Sequence, residues 1–387
     1  MGRLAIVVSH PIQYYSPWFR WLRAHTALEF KVFYLWNFGV STQRDHQFGT
    51  NFKWDVDLLS GYDHEFVPNV ARDPGTHHFQ GLHNPGLRAR LAAWRPDAIL
   101  LFGYAYRTHL GLIARPPAPL VFRGDSHLID QTPSLLKRIV LRRLFARFAA
   151  ITFVGQANRA YFRTFGVPES KLHFAPHCVD AAHFTPTVAS REAAASLRRD
   201  LGLAGRKVVL FAGKFVAAKQ PLELLEAFLG LAPADTALVY VGDGPLRATL
   251  EARAAQQPDC LVRFLPFANQ TEMPVRYALA DLFVLPSRGL YETWGLAVNE
   301  AMHSGVPCLV SDRVGCQRDL VTEGDTGWVF SATDLAGLSA ALTRALTALQ
   351  GDPAGLRQRI ANRIAGYNYA AAGRGLLDAL AQATTAR

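Results

Sequence analysis

The sequence predicts an α/β protein made of two doubly wound, parallel-sheet domains, and three observations carry that expectation. Short apolar runs alternate with helix-length segments, the pattern of parallel strands covered by helices on both faces. The series of runs restarts after an alanine- and arginine-rich stretch near the middle of the chain. With 387 residues there is length for two separate cores.

The first series is LAIVV (Leu4–Val8), FKVFYLW (Phe30–Trp36), DAILLF (Asp97–Phe102), PLVFR (Pro119–Arg123), AAITFV (Ala149–Val154) and LHFAP (Leu172–Pro176). Residues 37–86 break the pattern. They are rich in Gly, His, Asp and aromatic residues, and a loop region of that length inside a domain is usually functional. Five of the seven tryptophans (Trp18, Trp21, Trp36, Trp54, Trp94) fall in the first quarter, most of them explained by core packing. Residues 181–206 read as a linker containing a helix. The second series follows: KVVLFAG (Lys207–Gly213), TALVYVGDG (Thr236–Gly244), LVRFLPF (Leu261–Phe267), DLFVLPS (Asp281–Ser287), PCLVSD (Pro307–Asp312) and GWVF (Gly327–Phe330). The expected division is 1–180, a linker 181–206, a second domain 207–365, and a C-terminal helix 366–387 that packs back on the first domain.

Composition narrows the class. Half the residues are hydrophobic and 19% are charged, as in ordinary globular proteins. No apolar stretch reaches the roughly 18–20 residues that span a bilayer, and LAIVV is too short for a secretory h-region. A cytoplasmic protein is expected, with the inner face of the membrane as the alternative address. Cys178, Cys260, Cys308 and Cys316 form no C-x-x-C pair, which argues against a disulfide framework or a zinc site. The formal charge of +10 calls for an anionic partner: nucleic acid, membrane surface or a phosphorylated substrate. Between Asp130 and Glu169 no residue is acidic, while Lys137, Arg138, Arg142, Arg143, Arg147, Arg159 and Arg163 are basic. That stretch reads equally as a solvated surface helix or a membrane-contacting one.

Open sheets of this kind bind ligands beyond the carboxyl ends of their strands. FAGKFVAAKQPLELLEAF sets Gly213 and Lys214 at such an end and Lys219 ahead of a helix opened by Pro221. Backbone N–H groups, a helix dipole and two ammonium groups would together favour a diphosphate; lysines in such positions are also common surface groups. VYVGDGPLRATLE places Gly242 and Gly244 in a tight strand-to-helix turn, a plain turn signal by itself. The strongest stretch is VLPSRGLYETWGLAVNEAMHSGVPCLVSD. A helix from Leu296 to His303 would leave Glu292 in the loop before it and set Glu300 about a turn and a half inside, among apolar neighbours where an unpaired carboxylate is costly.

These three pieces, in this order, resemble the C-terminal domain of the retaining glycosyltransferases of family 4, whose GT-B fold has two Rossmann-like doubly wound domains facing across an interdomain cleft. The resemblance is carried by Glu292 and Glu300 with seven residues between them, by Gly213-Lys214 with Lys219, and by the GDGP turn. It covers the second domain almost entirely. In the first domain it rests on GVPESKLHFAPHCVD, similar to the family's crossing segment, and on the SHPIQYYSPWFRWL start. By that resemblance Lys214 and Lys219 would hold the donor diphosphate and Glu292 the sugar hydroxyls. Glu300 would bind the ribose, and Gly295 with Leu296 would give backbone contacts. The chain departs from the family in three places. SHPIQ replaces a Gly-Gly turn, His177-Cys178 stands where Asn-Gly is frequent, and Gly315-Cys316 where Gly-Gly is often found.

The first domain offers several groups after its strands, and so toward the expected cleft. Asp125 and His127 are the first choices for catalysis beside Glu292 and Lys219; His10, Gln13, Tyr104, His109 and Arg123 are candidates for the acceptor side, each open to a turn-forming, capping or packing role instead. The function implied is retaining, metal-independent transfer of a sugar from a UDP- or GDP-linked donor to an acceptor hydroxyl in cell-surface glycan or polysaccharide synthesis. No cofactor beyond the donor is expected. The partners are the nucleotide sugar and a glycan or lipid-linked acceptor, with peripheral membrane contact as a further one and nucleic acid excluded. The alternatives are a nucleotide-sugar epimerase of the same fold, disfavoured because its chemistry needs several acid/base carboxylates, and a basic nucleic-acid-binding protein, which lacks a recognisable RNA or helix-turn-helix motif here.

Overall fold

The computed structural model describes residues 2–40, 43–44, 51–129, 131–289 and 292–385, with the backbone alone at 43–44 and 51–52. It divides into two compact units, 1–178 together with 369–387, and 179–368.

The strands of the first unit are β1 (Arg3–Val8), β2 (Glu29–Tyr34), the short antiparallel pair β3 (Gln43–Arg44) and β4 (Asn51–Phe52), β5 (His64–Phe66), β6 (Ala98–Phe102), β7 (Leu120–Arg123), β8 (Ala150–Phe153) and β9 (Leu172–Phe174). Seven of them form one parallel sheet in the order β5-β2-β1-β6-β7-β8-β9. The chain winds outward from β1 to β5, returns to the centre, and winds out the other way from β6. The central strands are apolar over most of their length because both faces are covered. Ala5, Val7, Ile99, Leu101 and Phe122 enter one core, and Leu4, Ile6, Val8, Leu100 and Val121 enter the other with Trp18 and Phe19. The loop region 37–86 contains β3, β4, β5 and a 3-10 turn at Phe79–Gly81, while 41–42 and 45–50 lie outside the described residues.

The second core of this unit is completed from the far end of the chain. Ala372, Leu376, Ala379 and Ala383 of the helix Tyr369–Thr385 pack into it. Gln382 bonds His173 at 2.6 Å and the carbonyl of Ala149 at 3.3 Å, anchoring the helix to β9 and the start of β8. A cavity of about 250 Å³ lined by Leu4, Leu28, Ala98, Leu377 and Leu380 sits where this helix meets the amino ends of β1 and β6. It lies at the edge of the sheet opposite to the one that binds ligands in such folds.

The strands of the second unit are β10 (Lys207–Ala212), β11 (Thr236–Val241), β12 (Leu261–Leu265), β13 (Leu282–Leu285), β14 (Cys308–Ser311) and β15 (Gly327–Phe330). They form a parallel sheet in the order β12-β11-β10-β13-β14-β15, so the winding reverses between β10 and β13. The stretch read as a linker belongs to this unit: it forms helices Ala181–Phe184 and Val188–Asp200. Arg198 ties the second of these to the sheet, donating to the carbonyl of Leu279 and to Asp281 Oδ2, both at 2.6 Å. Composition suggested a linker because alanine and arginine dominate, and it could not show that arginine's partners lie some 80 residues downstream.

Leu376 is fully buried. Leu376→Ala is therefore expected to lower the stability of the first unit by ~2–5 kcal/mol, as large-to-small core changes do. Denaturant unfolding followed by the tryptophans of that unit measures it, and a change below about 0.5 kcal/mol, the level of ordinary surface substitutions, would mean that the helix does not seal the core.

Candidate functional site

In the second unit the sequence-predicted residues gather at the reversal point. Strand β10 ends at Ala212, and Gly213 and Lys214 follow directly. The chain then makes a 3-10 turn over Ala217–Lys219 and enters the helix Pro221–Leu231, with proline at its first position. Arg288, just past the end of β13, donates its N–H to the carbonyl of Ala218 at 2.7 Å, so the loops following the two diverging strands are bonded to each other. Lys219 bends back over Gly213, and its Nζ lies 2.6 Å from Glu292 Oε2. Ser287 Oγ donates to the same oxygen at 3.0 Å. Cation and carboxylate are each about a quarter exposed or less.

The loop that carries Glu292 is fixed by backbone bonds. Gly315 N–H donates to the carbonyl of Glu292 and Cys316 N–H to that of Trp294, while Trp294 Nε1 donates to Asn299 Oδ1. Gly295 then caps the helix Leu296–His303 with φ +96°, a left-handed conformation in which a Cβ would also stand 2.8 Å from Val314 Cγ1. The N–H groups at Leu296 and Ala297 open this helix beside Glu292, the arrangement that favours an anion. Glu300 is 3% exposed, and Tyr277 Oη donates to its Oε2 at 2.7 Å. Tyr277 and Ser287 were not foreseen from the sequence. Nothing in their neighbourhood marks them, because what selects them is a carboxylate brought in by the fold.

The GDGP turn lies beside β10's loop, where two stretches of backbone approach closely. A Cβ on Gly242 would be 2.0 Å from the carbonyl oxygen of Gly213, and one on Gly244 2.7 Å from that of Phe215. These two glycines admit the protein's own backbone.

In the first unit the predicted residues follow the carboxyl ends of β1, β6 and β7, but in unlike surroundings. His10 bonds Ser9 Oγ through Nδ1 at 3.0 Å and meets the rings of Trp36 and Phe38 edge-on; desolvation pulls its pKa down to about 4. Gln13 lies half-buried in the turn that leads into the helix Tyr15–His25. The opening SHPIQYY turn thus meets its needs partly within itself: the Ile12 carbonyl accepts from the N–H groups of Tyr15 and Ser16. Tyr104 bonds Tyr161 at 2.7 Å and packs on Phe122 and Phe145. Arg123 is 2% exposed, donates to the carbonyls of Ala175 and Pro176, and lies over Trp18. Both are engaged inside the unit.

Asp125 is half-buried, 3.4 Å from His177 Nε2. His127 is 7% exposed, and its Nδ1 accepts from Ile129 N–H, which assigns the ring proton to Nε2. His109 lies in the first turn of the helix Arg107–Ala114, 1% exposed against Gly103 and Tyr106, and neither ring nitrogen has a hydrogen-bond partner among the described residues. Burial pulls its pKa down to about 3.

Two outcomes follow. Tyr277→Phe removes a donor from a buried carboxylate and is expected to destabilise the second unit by ~1–3 kcal/mol in thermal or denaturant unfolding. His109 stays neutral in the folded chain down to about pH 3, whereas in the unfolded chain it takes a proton near the ordinary histidine value of 6.5. The unfolded state thus binds more protons across that window, so stability falls as pH drops from about 6.5 toward 3. His109→Phe should flatten that slope in a pH series of melting curves, and an unchanged slope would assign the effect elsewhere.

Comparison with known proteins agrees with this geometry. The family described as glycosyl transferases group 1 matches residues 195–364. A GDP-mannose-dependent alpha-(1-6)-phosphatidylinositol monomannoside mannosyltransferase of Mycolicibacterium smegmatis is 33% identical over 274 residues, covering 67% of this chain and 68% of that protein. The sulfoquinovosyl transferase SQD2 of Arabidopsis thaliana is 32% identical over 65% of this chain and 50% of its own. Among solved structures, Anabaena Alr3699/HepE in complex with UDP superimposes with a TM-score of 0.74 at 18% identity, covering 98% of this chain and 100% of that one. With the fold of the GT-B enzymes and the Lys219–Glu292 constellation at the reversal of its second sheet, the chain belongs to the glycosyl transferases group 1, family 4 of the glycosyltransferases.

Proposed function

We propose that this glycosyltransferase moves a sugar from a UDP- or GDP-linked donor to an acceptor hydroxyl with retention of configuration, in the synthesis of a cell-envelope glycan or glycolipid. The observation that carries the reading is the ion pair of Lys219 with Glu292 at the reversal point of the second sheet, beside the opening of the helix Leu296–His303. Breaking a sugar–diphosphate bond leaves charge on the β-phosphate oxygens. Lys214, Lys219 and the N–H groups at Leu296 and Ala297 would stabilise that charge, so the step is assigned to the chain's own cations and dipoles, without a divalent metal at the diphosphate. Glu292, freed from Lys219 by the phosphate, would accept from the sugar hydroxyls. Glu300, positioned by Tyr277 at 2.7 Å, would bind the ribose. We assign the acceptor side to His10, His109, Asp125 and His127. In same-face attack the leaving phosphate takes the acceptor proton, and His127 Nε2–H serves as a donor to an incoming oxygen.

The relatives act on a phosphatidylinositol mannoside or bear the name sulfoquinovosyl transferase, which supports a lipid-linked acceptor. The helix Leu135–Phe145 supports work at a membrane surface. It buries Leu141 and Phe145 and leaves Leu135, Leu136 and Val140 exposed by 74%, 72% and 51%, interleaved with Lys137, Arg138, Arg142 and Arg143. Exposed large apolar groups beside cations suit an anionic bilayer rather than a nucleic acid. Among the described residues no helix is long and apolar enough to cross a membrane.

A thermal-shift panel with UDP, GDP, ADP and TDP, with and without chelator, should single out one diphosphate. Lys219→Ala should abolish that shift, and in turnover assays Lys219→Ala or Glu292→Ala should cost ~10²–10³ in rate. Absence of a shift with every nucleotide would overturn the reading. Leu136→Glu with Val140→Glu should release the protein from anionic vesicles in co-sedimentation while leaving the nucleotide shift intact; retained binding would move the membrane contact elsewhere.

A further inference from the structure

We propose that Asp73, His77 and His78 form a binding site for a divalent transition metal of the zinc class, separate from the groups assigned to the donor. The three side chains come from one short run, RDPGTHH, and each brings one ligand atom to a common point, all within 4.8 Å of one another. His77 Nε2 is 3.0 Å and His78 Nε2 3.4 Å from the same carboxylate oxygen, Asp73 Oδ2. Zinc–nitrogen and zinc–oxygen bonds of about 2.0–2.1 Å at tetrahedral angles put neighbouring ligand atoms about 3.3 Å apart. Without an ion these atoms form a hydrogen-bonded cluster, His77 Nε2 with Asp73 Oδ2 and His78 Nε2 with the Asp73 carbonyl, each at 3.0 Å, and an ion would take the place of those bonds. Two imidazoles and one carboxylate are a nitrogen-rich set that favours zinc, cobalt or nickel over magnesium or calcium.

Besides the bonds within the cluster, the loop is shaped by backbone and neighbouring side-chain bonds. Gly75 N–H donates to the carbonyl of Gly81 at 3.1 Å, and Gly81 N–H to that of His78 at 3.2 Å. Asn69 Nδ2 donates to the carbonyl of Gly81, and Tyr106 Oη to that of Thr76. The side chains of Asp73, His77 and His78 remain 60%, 40% and 36% exposed, so an ion reaches them from solvent. The rings of the two histidines stand edge to face at 68° with centroids 4.6 Å apart. Three protein ligands leave a fourth position for water. The bound ion would fasten the loop whose Thr76 carbonyl holds Tyr106, the ring packed on His109.

The test uses the full chain without a histidine tag, stripped by chelator and dialysed, then titrated with Co²⁺ and afterwards with Zn²⁺. One equivalent of Co²⁺ should give the visible absorption of a four-coordinate centre, and Zn²⁺ should displace it. His77→Ala and His78→Ala should each weaken uptake by on the order of tenfold or more, and Asp73→Asn should alter the spectrum. Cys260→Ser should leave both uptake and spectrum intact. The metal-free unfolding of the first unit, followed by its tryptophans, should be the same in all these variants, which separates a failed metal site from a failed fold. Uptake that is not stoichiometric, or that survives in the His77→Ala, His78→Ala double variant, would overturn the proposal and leave a hydrogen-bonded cluster only.

Discussion

Parallel neighbours in a sheet cannot be joined by a tight turn, so each connection must cross over a face and return to the starting edge. All other features of the two units follow from that constraint. It sends every loop that follows a strand to one edge, and it makes the central strands apolar on both sides. Where the winding changes direction, between β10 and β13, the two loops diverge, and they are joined again by the backbone bond of Arg288 to Ala218 and by side chains. Lys219 and Glu292 meet there at 2.6 Å. The sheet in effect brings opposite charges to one place that 73 residues of sequence keep apart.

Much of this was legible in the sequence, and for physical reasons. Val208–Phe211 and Val239–Val241 read as buried strands because strands covered on both faces need no polar alternation. The helix Leu296–His303 was bounded correctly because Gly295 marks its start and Ser304-Gly305 its end. The burial of Glu300 was likewise foreseeable from its Ala and Met neighbours. Tyr277 was not, since a hydrogen-bond partner 23 residues away has no local mark. The first unit was harder to read. Tyr104 and Arg123 looked like groups directed at a ligand because they follow apolar strands, yet Tyr161 and the carbonyls of Ala175 and Pro176 take them up within the fold. Polarity at a strand end says that a partner is needed, and only packing says which one.

The helix Leu135–Phe145 shows the same limit from the other side. Its basic groups spread around the axis, so the sequence left a solvated helix and a membrane-contacting one equally open. Burial of Leu141 and Phe145 alone fixes which way the helix is turned, and that orientation leaves Leu135, Leu136 and Val140 outward. The apolar face became visible only once the core had taken its share.

The membership of the helix Tyr369–Thr385 in the first unit has a consequence for how the chain matures. The second unit is in effect an insertion, entered after Cys178 and left after Asn368. During synthesis the strands β1 to β9 leave the ribosome before residues 369–385, yet the core that Trp18 and Phe19 of the helix Tyr15–His25 begin to close over Leu100 is completed only by those residues. The second unit has all its strands well before that. The order of completion is therefore the reverse of the order of translation, and the earlier-made half is the one that must be kept from aggregating while it waits.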